Sequence, residues 1–243
     1  MSNNHALDSY QYLSTIFDQY LGDSYYKYLR DRFNSVTKNL TEGSKHLDIG
    51  CGTGDLLEYS YSHSFRSKGI DLSPSMVEIA QSKLNNNIDV SCMDIFEIKD
   101  GSWDIITANN DVLNYIGLNH DLQDILSHVS SILSEDGIFY ADVVSEYDIL
   151  NNWEDSIYSY QDGKTFRCDL TYSVKQYTPP IGVVTRNWKF KINGKWQKMK
   201  SEIEVLRGFS REEIIEASKD NKLSVKLSEF HNGNIEMVIT KNR

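Results

Sequence analysis

The stretch His46-Leu47-Asp48-Ile49-Gly50-Cys51-Gly52-Thr53-Gly54-Asp55 constrains the fold more than any other part of the chain. Residues 45–49 read as a short strand, three glycines follow at alternate positions, and Leu56, Leu57 and Tyr59 resume at helical spacing. Glycines at a strand-to-helix turn allow a tight bend. They also let a ligand lie against bare backbone, with the helix N-terminus facing it. Dinucleotide loops of the G-x-G-x-x-G type need a third glycine at position 55. Asp55 stands there instead, and an acid beside a pyrophosphate is unfavourable, so NAD(P) and FAD lose ground.

The pattern then alternates. Residues 67–71 read as a second strand, and Ser73-Pro74 opens a helix with Ser73 as N-cap and proline at N1. Ser75 to Glu78 has the spacing of a capping box. Strands at 88–92 and 103–108, a helix at 121–134 and a strand at 137–144 complete a strand–helix alternation that argues for a parallel sheet covered on both faces. Before this core, residues from about 8 to 39 read as two helical segments divided at Gly22-Asp23-Ser24. After residue 150 the period falls to two, over 156–160, 165–177, 182–192 and 196–207. Asp162-Gly163, Pro179-Pro180 and Asn193-Gly194 mark the turns. Ser210 then caps a helix, and strands at 223–230 and 235–240 are joined by Asn232-Gly233.

The expected architecture is α/β: a Rossmann-like, seven-stranded, mostly parallel sheet with helices on both faces. A helical lid (1–42) precedes a cofactor-binding core (43–150). An antiparallel β insertion (151–208) follows the fifth strand, and a C-terminal helix and hairpin (209–243) complete the core sheet in a single domain.

Charge and acid placement narrow the ligand. With 25 basic and 35 acidic residues the net charge is −10, which argues against binding a bare phosphate backbone such as DNA. Asp48 ends the first strand and Asp71 the second, where a carboxylate can accept from ribose hydroxyls. Asp94 lies just past the third, with Ile95 placed to pack on an adenine. Three carboxylates around a phosphate-free adenosine suit a cationic cofactor.

These blocks resemble the class I S-adenosylmethionine-dependent methyltransferases. The match runs through Leu47-Asp48-Ile49-Gly50-Cys51-Gly52-Thr53-Gly54, then Gly69-Ile70-Asp71-Leu72-Ser73-Pro74-Ser75-Met76, then Met93-Asp94. It ends with Trp103-Asp104-Ile105-Ile106 and Leu133-Ser134-Glu135-Asp136-Gly137. The resemblance covers about residues 44–145 with every block in order. It implies that Asp48 and the loop residues Gly50, Cys51, Gly52 and Gly54 hold the methionine moiety of S-adenosylmethionine, whose product is S-adenosylhomocysteine. Asp71 would hold both ribose hydroxyls, Asp94 would meet the adenine amine, and Leu72 and Ile95 would sandwich the ring. Met76 and Met93 belong to the same cofactor set, and Asn109 lies near the methionine end.

The layout beyond the core is similar to small-molecule N-methyltransferases acting on glycine or amino sugars. Their lid carries a Tyr-Asp pair. Here it reads Phe17-Asp18, so a hydroxyl is missing, while Tyr25 matches a second tyrosine near the methionine carboxylate. Where the sugar-modifying relatives place a histidine, the loop Asn110 to Tyr115 ends in tyrosine. The chain also lacks the N/D-P-P-Y/F block of enzymes that modify base or glutamine nitrogens.

With no histidine in that loop and no spaced His/Cys cluster for a metal, an amine or an already acidic group is the favoured acceptor, the amine first, because a hydroxyl needs a base or a metal. Tyr115, Tyr10 and Tyr12 are the candidate catalytic residues. They belong to a set of 15 tyrosines, six of which (Tyr10, Tyr12, Tyr20, Tyr25, Tyr26 and Tyr28) crowd the lid. RNA or protein methylation is the alternative within the class. Arg186, Lys189, Lys191, Lys195, Lys198 and Lys200 make the insertion locally basic, although edge-strand protection explains such a run more simply. From another class, the chain could bind S-adenosylmethionine without turnover. The polar start, three unpaired-spacing cysteines and lack of any 20-residue apolar run fit a reducing cytoplasm and no membrane. Hairpins bearing Trp188 and Trp196 offer a surface for capping the site or for a homodimer.

Overall fold

The structure, a computed structural model, describes residues 10–85, 87–99, 101–154, 156–161, 164–230 and 233–242. The expected Asp162-Gly163 turn and Asn232 of the last turn lie outside the described residues, as do residues 1–9.

Strands β1 (Lys45–Ile49), β2 (Arg66–Asp71), β3 (Asp89–Cys92), β4 (Trp103–Ala108) and β5 (Leu133–Val143) are parallel. With β11 (Leu223–Phe230) and β12 (Asn234–Lys241) they form a seven-stranded sheet in the order β11-β12-β5-β4-β1-β2-β3, β12 running antiparallel to both neighbours. Helices α1 (Phe17–Thr37), α2 (Asp55–Ser62) and α3 (Pro74–Lys83) serve the first half. Helices α4 (Val112–Ile116), α5 (Leu122–Ile132), α6 (Glu146–Asn152) and α7 (Arg211–Asp220) serve the second. The order reverses between β1 and β4, and in an open α/β sheet a ligand crevice forms at the carboxyl ends beside that switch point.

Local chemistry sets several boundaries. Ser73 accepts from the Met76 N–H at 3.4 Å and caps α3, while Pro74 occupies the first helical turn. The expected Ser75–Glu78 box does not form, because Ser73 already caps that end. A capping box closes instead at Asp94, whose carboxylate accepts from the Phe96 N–H at 2.9 Å while Glu97 accepts from the Asp94 N–H at 3.0 Å. Gly22 interrupts α1 with φ 77° and ψ 164°, so the lid is two helical pieces, as the glycine spacing implied.

The insertion forms a second, antiparallel sheet: β10 (Glu202–Arg207), β8 (Pro180–Ile192), β7 (Phe166–Tyr177) and β6 (Ile157–Gln161), with β9 (Lys195–Lys198) paired to β8. Asn193 and Gly194 both take positive φ, 50° and 79°, as a two-residue hairpin turn requires. The single strand expected over 196–207 is two strands, β9 and β10, which pair with the same β8 in registers one residue apart. Pro180 opens β8 rather than lying wholly in a turn.

Trp188 is fully buried, so it offers no docking surface. Its indole packs in a core with Leu13, Phe166, Val184 and Leu206, against which Tyr10, Tyr12, Phe17 and Tyr20 of the lid also lie. Burying such a side chain is worth about 2–3 kcal/mol, so this core fastens the lid to the insertion. Arg186 is likewise inside, which removes it from the exposed basic run. Among the described residues no helix is long and apolar enough to cross a membrane, and no cluster of His, Cys, Asp and Glu could hold a metal ion.

Candidate active site

The strand ends β1, β2, β3 and β4 open into one cavity. It is lined by Asp48, Gly50, Cys51 and Gly52 from the first turn, Asp71 and Leu72 from the second, and Met93, Asp94 and Ile95 from the third. Asn109 comes from the fourth, Met76 from α3, and Tyr10, Tyr25 and Tyr115 from the lid and α4. Two candidates fall elsewhere. Gly54 sits one step behind the loop, where its ideal Cβ would meet Leu84 at 3.0 Å. Tyr12 packs its ring on Phe190, because its backbone N–H is tied to Glu202 at 2.6 Å.

Gly50 has a positive φ of 66°, and a Cβ there would stand 2.2 Å from Val112 Cγ2. No L side chain fits between the loop and α4, so the glycine is required on both conformational and steric grounds. Phe17 lies over Gly52, 3.4 Å from where its Cβ would be, and covers the loop from the lid side. Asp18 fastens the lid: it accepts from Tyr26 at 2.7 Å and from the Thr53 hydroxyl, and pairs with Lys83 at 3.1 Å. Arg30 reaches across to Asp55, so the acid that displaces the third glycine is engaged by a cation.

Asp71 accepts from the Gly52 N–H at 2.9 Å and the Ser73 N–H at 2.8 Å, which orients its carboxylate at the end of β2. Burial pushes it above the usual carboxylate range, while these N–H bonds pull it down. Asp48 is buried and pushed up to about 7. The Thr107 hydroxyl, donating at 2.5 Å, works against that rise. Giving its proton to Asp48 leaves Thr107 to accept from His46 Nε2 at 2.8 Å. Burial holds His46 down to about 3, so its ring is neutral and serves as a second layer beneath Asp48. Asn109 is buried with both its amide nitrogen and its amide oxygen unpartnered. A buried amide normally has partners, so this one is set to receive a ligand bearing both a donor and an acceptor.

A second cavity of about 450 Å³ adjoins the first, and the two share Tyr10, Phe17, Leu21 and Asn110. It lies between the lid and the insertion, with Asp111, Asp148, Tyr172, Arg186 and Glu204 in its wall. Asn110 and Asp111 both take left-handed backbone, φ 61° and 67°, and their N–H groups donate to Asp142 at 3.1 and 3.0 Å. Strained turns of this kind persist where the surroundings hold them, often beside ligands. Glu204 did not stand out in the sequence, and Arg186 did so only as a member of the basic run. Alternation in β10 gave no signal for Glu204, because the strand turns Glu202, Glu204 and Leu206 inward and leaves Ile203 outside, against the apolar pattern.

Comparison with known proteins agrees with this arrangement. Residues 47–137 match the family model described as a methyltransferase domain. A putative methyltransferase, YqeM of Bacillus subtilis, is 29% identical over 158 residues, covering 63% of this chain and 62% of that protein. The curated relatives are matched over roughly half to three-fifths of their own length. Among solved structures, an S-adenosylmethionine-dependent methyltransferase from Clostridium acetobutylicum superposes with a TM-score of 0.81 at 20% identity, over 96% of this chain and 99% of that one. CalS10, an amino pentose methyltransferase from Micromonospora echinaspora, gives 0.71 at 17% identity over 90% and 91%. The glycine loop and strand-end acids thus sit in a segment, residues 47–137, that matches the methyltransferase-domain family, within a fold shared with solved S-adenosylmethionine-dependent methyltransferases.

Proposed function

We propose that this protein moves a methyl group from S-adenosylmethionine to a small-molecule acceptor, and that the receiving atom is an amine nitrogen. The supporting observation is the charge of the first cavity: Asp48, Asp71 and Asp94 line it, and no lysine or arginine does among the described residues. Such a crevice repels a pyrophosphate and attracts a sulfonium and an ammonium. The residues fit the group. The unpartnered Asn109 amide and the Asp48 carboxylate suit an amino-acid end, and Asp71 keeps lone pairs for two hydroxyls.

When bound, S-adenosylmethionine supplies a methyl group already activated on positively charged sulfur. What remains for the protein is alignment and exclusion of water, which can supply most of the rate. Phe17 and Leu21 close the lid over both cavities, and Tyr10 and Asn110 stand where the cavities meet. An acceptor in the second cavity would approach the first across that boundary. An amino pentose methyltransferase among the relatives of like fold supports a small acceptor.

Calorimetry against S-adenosylmethionine, S-adenosylhomocysteine and NAD tests the cofactor assignment: the first two should bind and NAD should not. If neither of the first two binds, the proposal falls. Formation of S-adenosylhomocysteine across a panel of amines, alcohols and carboxylic acids tests the acceptor. Turnover confined to alcohols or acids would overturn the amine.

A further inference from the structure

Where the cavities meet, three polar side chains form a continuous path. Each phenol has one proton to give. Tyr115 donates to Glu204 Oε1, which leaves its oxygen to accept from the Tyr10 hydroxyl at 2.6 Å. The Tyr10 hydroxyl also lies 3.0 Å from the same carboxylate oxygen. The other carboxylate oxygen of Glu204 pairs with Arg186 Nη2 at 2.5 Å. The elements involved are distant in sequence: the lid, α4, β8 and β10 each supply one group. Tyr10 and Tyr115 line the cofactor cavity, and Tyr10, Arg186 and Glu204 line its neighbour.

A buried acid bonded to two phenols and a guanidinium is costly to maintain, since each partner must be desolvated as well. An amine acceptor gives this arrangement a use. At neutral pH an alkylamine arrives as ammonium and has no lone pair until it loses a proton. Tyr10 is a poor final sink, because burial and the Glu204 charge push its phenol well above its ordinary value. Glu204 is a better one, since burial moves its carboxyl up to about 7, against the Tyr10 hydrogen bond that lowers it.

Other groups also bear on this acid. Arg186 on β8 favours its charged form, and Tyr20 on α1 lies beside that guanidinium. Asp111, before α4, interacts with it unfavourably, and Asp148 on α6 and Tyr172 on β7 share its cavity. Resting on the amine methylation proposed above, we infer that Glu204 takes up the proton lost by the acceptor's ammonium, relayed through Tyr10 and Tyr115. As the ammonium N–H bond breaks, its proton passes to Tyr10, that of Tyr10 to Tyr115, and that of Tyr115 to Glu204. Both phenols end neutral, and Glu204 ends as a carboxylic acid. The freed nitrogen lone pair forms the new N–C bond while the C–S electron pair stays on sulfur. The methylated product leaves as an ammonium, and Glu204 returns its proton to water.

The test uses two probe amines with S-adenosylmethionine: ethylamine, protonated at neutral pH, and 2,2,2-trifluoroethylamine, which is not. Glu204→Gln should lower the ratio of kcat/KM for ethylamine over trifluoroethylamine by about 100-fold or more, the usual size of base catalysis. With ethylamine, wild-type log kcat/KM should level off above about pH 7, where Glu204 is ionised. The variant's should keep climbing about tenfold per pH unit, following free amine. The Tyr10→Phe/Tyr115→Phe double variant leaves the Arg186 pair intact and should shift the ratio in the same direction, so the relay stays testable if the glutamine variant does not fold. Equal slowing of both amines in both variants would make Glu204 structural and overturn the relay. If wild-type protein binds S-adenosylhomocysteine and methylates neither amine, the amine assignment fails and the relay falls with it.

Discussion

Asp48 should make cofactor affinity depend on pH with a predictable sign. The residue is buried at the end of β1, and its carboxyl sits at about 7 without a cation beside it. It is therefore largely protonated at about pH 6. An ammonium placed against it stabilises the carboxylate, so binding below about 7 must release a proton, and affinity must rise with pH across that range. If the complex holds the acid below about 5.5, the dissociation constant should fall roughly 15-fold between about pH 5.5 and 7, or about 1.6 kcal/mol. Above about 8 the trend reverses as the ligand's own α-amino group loses its proton.

Asp71 is also pushed up by burial, but in the proposed complex it would face neutral hydroxyls, so its linkage to binding should be weaker. The assay is calorimetry with S-adenosylhomocysteine in two buffers of different ionisation enthalpy, which counts the protons released. Asp48→Asn should weaken binding at neutral pH and flatten the acid limb. A wild-type affinity that stays level over this range with no proton release, or an Asp48→Asn protein with the full slope, would refute the reasoning.

Other expectations follow from single contacts. Gly50→Ala forces an L residue into φ 66° and drives its Cβ into Val112, so unfolding in urea should show a loss of about 2–4 kcal/mol, with S-adenosylhomocysteine binding falling alongside. Glu202 accepts from the Tyr12 and Leu13 N–H groups at 2.6 and 3.3 Å and from the Trp188 indole N–H. Glu202→Gln sets a donor against one of these, so hydrogen exchange at residues 12–16 should speed up by an amount equivalent to about 1–3 kcal/mol. His46 has a depressed folded pKa of about 3, so the stability it contributes is present above its unfolded value near 6.5 and is lost as pH falls through that window. His46→Gln should remove about 2 kcal/mol of the destabilisation between pH 7 and pH 5, measured by urea melts at both.

The parallel half of this molecule was legible because its signals are local. A capping serine before a proline, three glycines after a strand and an acid at each strand end act within a few residues, and Ser73, Gly50 and Asp71 sit where those signals place them. Helices α4 and α6 were not legible. At five and seven residues they are too short to show a period, and α4 follows two left-handed residues that no hydrophobic pattern encodes. The insertion shows the limit more sharply. Period two revealed strands at 165–177 and 182–192 but not which phase faced inward, and in β10 the phases are inverted.

Ile203 is 53% exposed while Glu202 and Glu204 are buried. A sheet folding by apolar burial alone would slip that strand by one residue and turn Ile203 and Val205 inside. What prevents the slip is polar and distant. Arg186 pairs with Glu204, Tyr115 donates to it and is itself bonded by Tyr10, and Glu202 holds the lid's N–H groups and the Trp188 indole. A one-residue slip would leave Arg186 unpaired and the lid donors unsatisfied, at about 1–3 kcal/mol for each group. That exceeds what burying the exposed half of one isoleucine returns, about 1 kcal/mol. The register of β10 is therefore set by the same polar contacts that build the boundary between the two cavities, and natural sequences break binary patterning at places of this kind.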